Sequence, residues 1–232
     1  MLKPVKISDA TSINNNQQYI VILPLGSTEY HFNKLPYCVD TYIAEKTAIW
    51  LAEHTEDLPD NYKLLLLPAL PYGSSDEWLE WPGTISISVK TYYDLISDII
   101  GSIERKLFVK GYIVINGHGG NYSVIERYAH RFWQEYHKPF VIIDIWRTAA
   151  ELGLRYCHAC CTEIELYELL NNTGSKEKCD DENIEYTGLK GRYTDLKAGS
   201  SGYIEPRLLI SRLKDLFIEA IKIIIEATPD NH

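Results

Sequence analysis

The sequence predicts an α/β protein: a mostly parallel sheet with helices on both faces. Three observations carry that expectation. Short apolar, β-branched runs alternate with amphipathic segments along the chain. The runs are nearly continuous in hydrophobicity, as strands buried on both faces are. The segments between them repeat their apolar residues at helical spacing.

The elements follow in order. Residues 19–27, YIVILPLGS, form the first strand, which ends at Gly26. Residues 40–56 read as a helix. Ile43, Thr47, Trp50 and Leu51 trace one face, and Asp40 is placed to cap its start. KLLLLPAL, from Lys63, is the second strand. Residues 91–111 are a helix closed by Gly111. YIVING, from Tyr112, is the third strand, followed by a helix over about 121–137. FVIIDIW, from Phe140, is the fourth strand, and TEIELYELLNN, from Thr162, a shorter helix. Residues 172–204 are polar and rich in Gly, Lys and Asp, and read as an irregular excursion within one domain. A long helix opens with Pro206 in its first turn. The 232 residues are expected to form a single domain, 1–232. A chain of that size buries roughly 70–75% of its unfolded surface.

Composition narrows the function. Hydrophobic residues make up 45% and charged residues 24%, ordinary for a soluble globule. The net charge of −9, with no basic block, argues against a nucleic-acid partner, which needs a cationic surface. No apolar run reaches the roughly 18–20 residues of a membrane span. The opening MLKPVKISDATSINNNQQ lacks an apolar signal core. A cytoplasmic protein with no membrane partner is expected. The cysteines are Cys38, Cys157, Cys160, Cys161 and Cys179. An odd number, three of them crowded in CHACC, makes a poor disulfide framework, and the C-x2-C spacing has no second pair to complete a zinc site. Reduced thiols, mostly packing, are expected.

The residues able to carry chemistry gather where strands end, which is where ligands bind in parallel sheets. After the first strand, Glu29 and His31 are two apart. On an extended chain they face one side, about 6.5 Å apart along it. Each is placed to hold one of two neighbouring metal ions, which lie roughly 3.5–4 Å apart in two-metal sites. Taken alone, the pair is equally a polar loop end. Asp40 taken alone reads as a plain cap. His118 lies in the third strand-to-helix turn, INGHGGNYS, where Gly117, Gly119 and Gly120 let the backbone turn sharply and approach a ligand. A phosphate cradle is one rival there, but the turn lacks the G-x-G-x-x-G spacing and the Walker lysine; a capped turn with a solvated histidine is the other. His158 precedes Glu163, which falls in the first turn of a helix, where acids are common for dipole reasons. Three carboxylates with two histidines form a hard, mixed N/O set that suits zinc, manganese or iron. Tyr30, Trp78, Trp81 and Tyr122 lie near these motifs, and serve either in packing or in stacking on a flat substrate.

PLGSTEYH…LP…D, PGTISIS, NGHGGN and HACCTE resemble, in order and spacing, the motifs of the creatininase (creatinine amidohydrolase) family, over about residues 23–170. The resemblance implies an α/β sandwich with a dinuclear metal centre, commonly in hexamers. It implies that Glu29, Asp40 and His118 bind one metal ion and His31, Asp40 and Glu163 the other, with Asp40 bridging. His158 matches a family histidine that handles protons in catalysis, and Ser75 a serine that lines the site. Gly119 and Gly120 would clear space for substrate. The chain departs from the pattern at Tyr30, Phe32, Lys34 and Trp78, where the family commonly has glutamine, glycine, histidine and histidine. Creatininase itself carries a glutamate where this chain has Gly120, which argues against creatinine as substrate. The expected activity is hydrolysis of a C–N bond in a cyclic amide, formamide or peptide, with two divalent ions per chain, zinc or manganese ahead of iron. The rival classes are a non-catalytic binding module of the same fold and a nucleotide-binding protein using the glycine turn.

Overall fold

The computed structural model describes residues 4–55, 58–154, 157–173 and 203–227. Among the described residues, five parallel strands form one sheet: β1 (Val5–Lys6), β2 (Gln18–Leu25), β3 (Tyr62–Leu66), β4 (Phe108–Asn116) and β5 (Phe140–Asp144). Their order across the sheet is β1-β3-β2-β4-β5. β2 is therefore central, with the chain running to one side of it first and to the other afterwards. The strand order reverses between β2 and β4, and loops leaving the carboxyl ends there make the crevice in which α/β sheets bind ligands.

The helices are α1 (Val39–Glu53), α2 (Val89–Glu104), α3 (Tyr122–Tyr136), α4 (Ile145–Glu151), α5 (Cys161–Asn171) and α6 (Pro206–Ala227). Alternation along β2 explains why both faces are covered. Ile20 and Ile22 enter a core built with α1, α4, α5 and α6, whereas Tyr19, Val21, Leu23 and Leu25 enter a second core built with α2 and α3. β4 divides in the same way, with Ile113 and Ile115 on the first side and Tyr112 and Val114 on the second.

Several local expectations need correction. Gly111 does not close a helix. α2 ends at Glu104, and Gly111 lies inside β4. A side chain there would meet Ile224 carbons of α6 at 2.9 Å, so the glycine serves close helix–sheet packing. The fourth strand stops at Asp144, whose carboxylate accepts a hydrogen bond from the Arg147 N–H at 2.8 Å and so starts α4. Asp40 is not a cap: α1 begins at Val39, and the Asp40 carboxylate makes no capping bond. Cys157 and Cys160 form a disulfide, against the expectation of reduced thiols, while Cys38 is free and exposed. The tight loop between them, with Ala159 in the left-handed region at φ 52°, brings the two sulfurs together. Most of the 172–204 excursion lies outside the described residues. None of the described helices is long and apolar enough to cross a membrane.

Candidate metal centre

Two glycines place the acidic start of α1 against the strand ends. A Cβ on Gly26 would fall 2.2 Å from the Thr41 Cα, and one on Gly117 would fall 2.5 Å from the Asp40 carbonyl. Only glycine at both positions lets α1 come this close. Neither Gly117, Gly119 nor Gly120 has a positive φ, so the glycines of NGHGGN supply room rather than a special backbone turn. Its two asparagines hold the loop. Asn116 Nδ2 donates to the His118 carbonyl and to Asp144 Oδ2, both at 2.7 Å. Asn121 Nδ2 donates to the Gly26 carbonyl at 3.0 Å, and Asn121 Oδ1 accepts from the Ser74 N–H at 3.1 Å. The ends of β2, β4 and β5 are thus tied together beneath the site.

Glu29, His31, Asp40, His118, His158 and Glu163 converge there, all buried. Asp40 is at the centre. Its Oδ1 lies 3.3 Å from His31 Nε2 and its Oδ2 lies 3.0 Å from His118 Nδ1. His31 Nε2 also faces Glu163 Oε1 at 3.5 Å, and His118 Nδ1 faces Glu29 Oε1 at 3.3 Å. Backbone carbonyls set the tautomers. His31 Nδ1 donates to the Glu29 carbonyl at 3.0 Å, His118 Nε2 to the Ser74 carbonyl at 2.9 Å, and His158 Nε2 to the Tyr30 carbonyl at 2.9 Å. Each ring therefore turns its other nitrogen toward the carboxylates. This is how metal-binding histidines are oriented. The carboxylates are held likewise. Ser27 Oγ donates to Asp40 Oδ2 at 2.6 Å, and the Ala159 N–H donates to Glu163 Oε2 at 2.5 Å.

Electrostatics follow from this crowding. Burial opposes charge on His31, but Glu163 and Asp40 outweigh it and push its pKa up to about 11. His118 is driven up against its burial by Glu29 and Asp40. Burial favours the neutral form of Asp40, yet His31 and His118 hold its carboxyl well below the usual range. For Glu163 burial wins, and His31 offsets only part of the rise. His158 is forced well below 6.5, first by burial and then by His31.

The residues fit a pair of cations. Glu29, Asp40 and His118 form one ligand-type group and His31, Asp40 and Glu163 another, each within 4.8 Å, with Asp40 shared. Glu29 Oε2 and His31 Nε2 are buried with no hydrogen-bond partner among the described residues, and a cation would supply one. A third group joins Glu29 and His31 to His158, so His158 also stands within ligand range. Its face is packed against Trp78, with ring centroids 3.9 Å apart and planes 11° apart. Trp78 is thus a buried plate behind His158 as well as part of the cavity wall. Ser75 stands behind His118, its Oγ 3.2 Å from Nε2. Gly119 and Gly120 line the cavity, whose volume is about 330 Å³. Sequence reasoning missed Ser27, Glu77, Asp144 and Arg147. Ser27 sits inside the GSTE motif, which was the available signal, while the last three reach the cavity only through the fold.

A family model described as creatinine amidohydrolase matches residues 7–184. The chain belongs to the creatininase family. Among curated members it is 36% identical over 110 residues to the mycofactocin precursor peptide peptidase of Mycobacterium tuberculosis (strain CDC 1551 / Oshkosh), covering 46% of this chain and 43% of that protein. It is 27% identical over 127 residues to the 3-dehydro-scyllo-inosose hydrolase of Thermotoga maritima, covering 54% and 38%. The matches thus span less than half the length of these relatives. Solved creatininase-family structures share the fold. A putative creatinine amidohydrolase from Bacteroides fragilis superposes with a TM-score of 0.68 at 18% identity, covering 100% of both chains. A mutant creatininase of Zn-Zn type gives 0.70 at 18% identity, covering 98% of this chain and 100% of that one. A creatininase in a Mn form gives 0.65 at 18% identity, covering 98% and 100%.

Proposed function

We propose that this creatininase-family protein is a dinuclear-metal amidohydrolase that cleaves a C–N bond with water. The observation that carries the reading is the shared Asp40, whose two oxygens each face a different histidine, with Glu29 completing one group and Glu163 the other. Two divalent ions held there would polarise the amide carbonyl and lower the pKa of water toward neutrality. Zinc and manganese suit the donors best, with iron next.

The protein's own groups account for the proton movements. His158 Nε2–H is committed to the Tyr30 carbonyl, so Nδ1 reaches the site as an acceptor. It takes a proton from the attacking water and passes it to the leaving nitrogen as the C–N bond breaks. The products are a carboxylate and an amine. Trp78 fixes the plane of that ring, and Gly119, with nothing within 4 Å of its Cβ position, leaves room for the substrate; Gly120 instead lets the Ser74 carbonyl approach, 2.0 Å from where its Cβ would sit. A cavity of about 330 Å³ suits a small molecule or the end of a peptide. The relatives named for a peptide and for an inosose bracket the same range. Creatinine is not the proposed substrate, because Gly120 offers no carboxylate. By family resemblance the active form is a homo-oligomer, a hexamer.

The test is a screen of formamides, cyclic amides and short peptides with protein stripped by chelator and then reloaded. Turnover that vanishes on stripping and returns with zinc or manganese supports the reading. Turnover indifferent to chelation contradicts it, and metal binding with no turnover on any amide class favours a binding module.

A further inference from the structure

One cavity carboxylate is unused by the metal centre. Glu77 belongs to the short 3-10 turn Asp76–Trp78 and lines the cavity with Glu29, Asp40, His118 and Glu163. Its Oε1 lies 3.2 Å from the place a Gly120 Cβ would take and His118 Nε2 lies 2.6 Å from the same place, so Glu77 stands beside His118. His118 acts on this carboxylate as a cation while it is protonated, and loses that charge when it binds metal; the Glu77 backbone supplies a hydrogen bond.

The neighbouring charges are all matched. Glu29, Asp40 and Glu163 face the two cations of the proposed centre. Asp144 accepts from Asn116 Nδ2 and the Arg147 N–H, and the Arg147 charge lies close to it. With His118 neutral as a metal ligand, Glu77 keeps no counter-charge from it, and a half-buried carboxylate is costly unless something supplies one. A substrate amine would.

We infer that Glu77 is a substrate-binding residue that takes the ammonium group of an amino-bearing amide. Because Glu77 stands beside His118, that amine lies within a few bonds of the scissile carbonyl. The preferred substrates are amides with a primary amine on the acyl side. This inference rests on the metallohydrolase reading above.

The test compares two metal-binding probes, acetohydroxamate and glycine hydroxamate, which differ by one ammonium group. Each is titrated by calorimetry into zinc- or manganese-loaded wild type, Glu77→Gln and Glu77→Asp. In wild type glycine hydroxamate should bind about tenfold more tightly, as one charge-assisted hydrogen bond allows. Glu77→Gln should lose that ratio and keep its affinity for acetohydroxamate, while Glu77→Asp should keep part of the ratio. An equal ratio in wild type and Glu77→Gln overturns the role of Glu77 and leaves the metal centre standing. If neither probe binds the loaded wild type, the metal centre fails and this inference falls with it. A Glu77→Gln protein that cannot hold metal shifts the comparison to Glu77→Ala, where loss of the ratio supports the role and an unchanged ratio overturns it.

Discussion

The indole of Trp78 lies face to face with the imidazole of His158, with centroids 3.9 Å apart and planes inclined by 11°. The tryptophan stands where the family commonly has a histidine, and it is 3% exposed. A buried aromatic of this size that backs a buried imidazole contributes to stability and to ring placement together. Trp78→Ala should lower unfolding free energy by about 3–5 kcal/mol. Trp78→Phe should cost much less, because a flat ring still backs the imidazole. Denaturant unfolding of the two variants reads this directly, and equal losses would contradict it.

His158 has two possible duties, proton carrier or metal ligand with Glu29 and His31. The proton role predicts that His158→Ala binds as much metal as the parent and loses about 10²–10⁴-fold in turnover. Elemental analysis beside a rate measurement separates the two. A variant short of one metal ion per chain would assign His158 to coordination.

In the metal-free protein, carboxylates raise the pKa of His31 from 6.5 to about 11 and carry His118 the same way. The stabilisation from these protonated rings is complete below about pH 6.5 and is lost as pH rises toward about 11. Melting temperature of the stripped protein should therefore fall over that interval. Metal must displace these protons, so apparent affinity should rise with pH and binding near neutrality should release protons. Calorimetry in buffers of different ionisation enthalpy measures the release. Binding with no proton release would oppose the assignment of His31 and His118.

Ser27 holds Asp40 Oδ2 through a 2.6 Å hydrogen bond. Removing such a support typically weakens metal affinity 10–100-fold. Ser27→Ala should show a loss of that order in competition with a chelator, with little change in fold by circular dichroism. An unchanged affinity would mean that Ser27 does not set the carboxylate.

Much of this architecture was legible in the sequence, and the exceptions have physical causes. β2 and β4 were evident because strands buried on both faces carry continuous apolar runs, and their ends marked Glu29, His31 and His118. Glu163 was legible as a first-turn acid of α5. Asp40 looked like a cap because caps and ligands use the same residue at the same place. Only the close approach permitted by Gly26 and Gly117 turns its carboxylate inward. Gly111 looked like a helix stop because its reason, the Ile224 side chain, lies more than a hundred residues away. Glu77 gave no signal at all, since its place beside Gly120 depends on two loops meeting. The Cys157–Cys160 disulfide was missed because it depends on a loop conformation that composition does not report.

The most direct measurement is metal content per chain, by elemental analysis, of protein purified without chelator, beside Asp40→Ala. The account predicts about two zinc, manganese or iron ions in the parent and almost none in the variant, because both groups share Asp40. A parent that stays metal-free even after incubation with zinc or manganese, or a variant that keeps both ions, would contradict it.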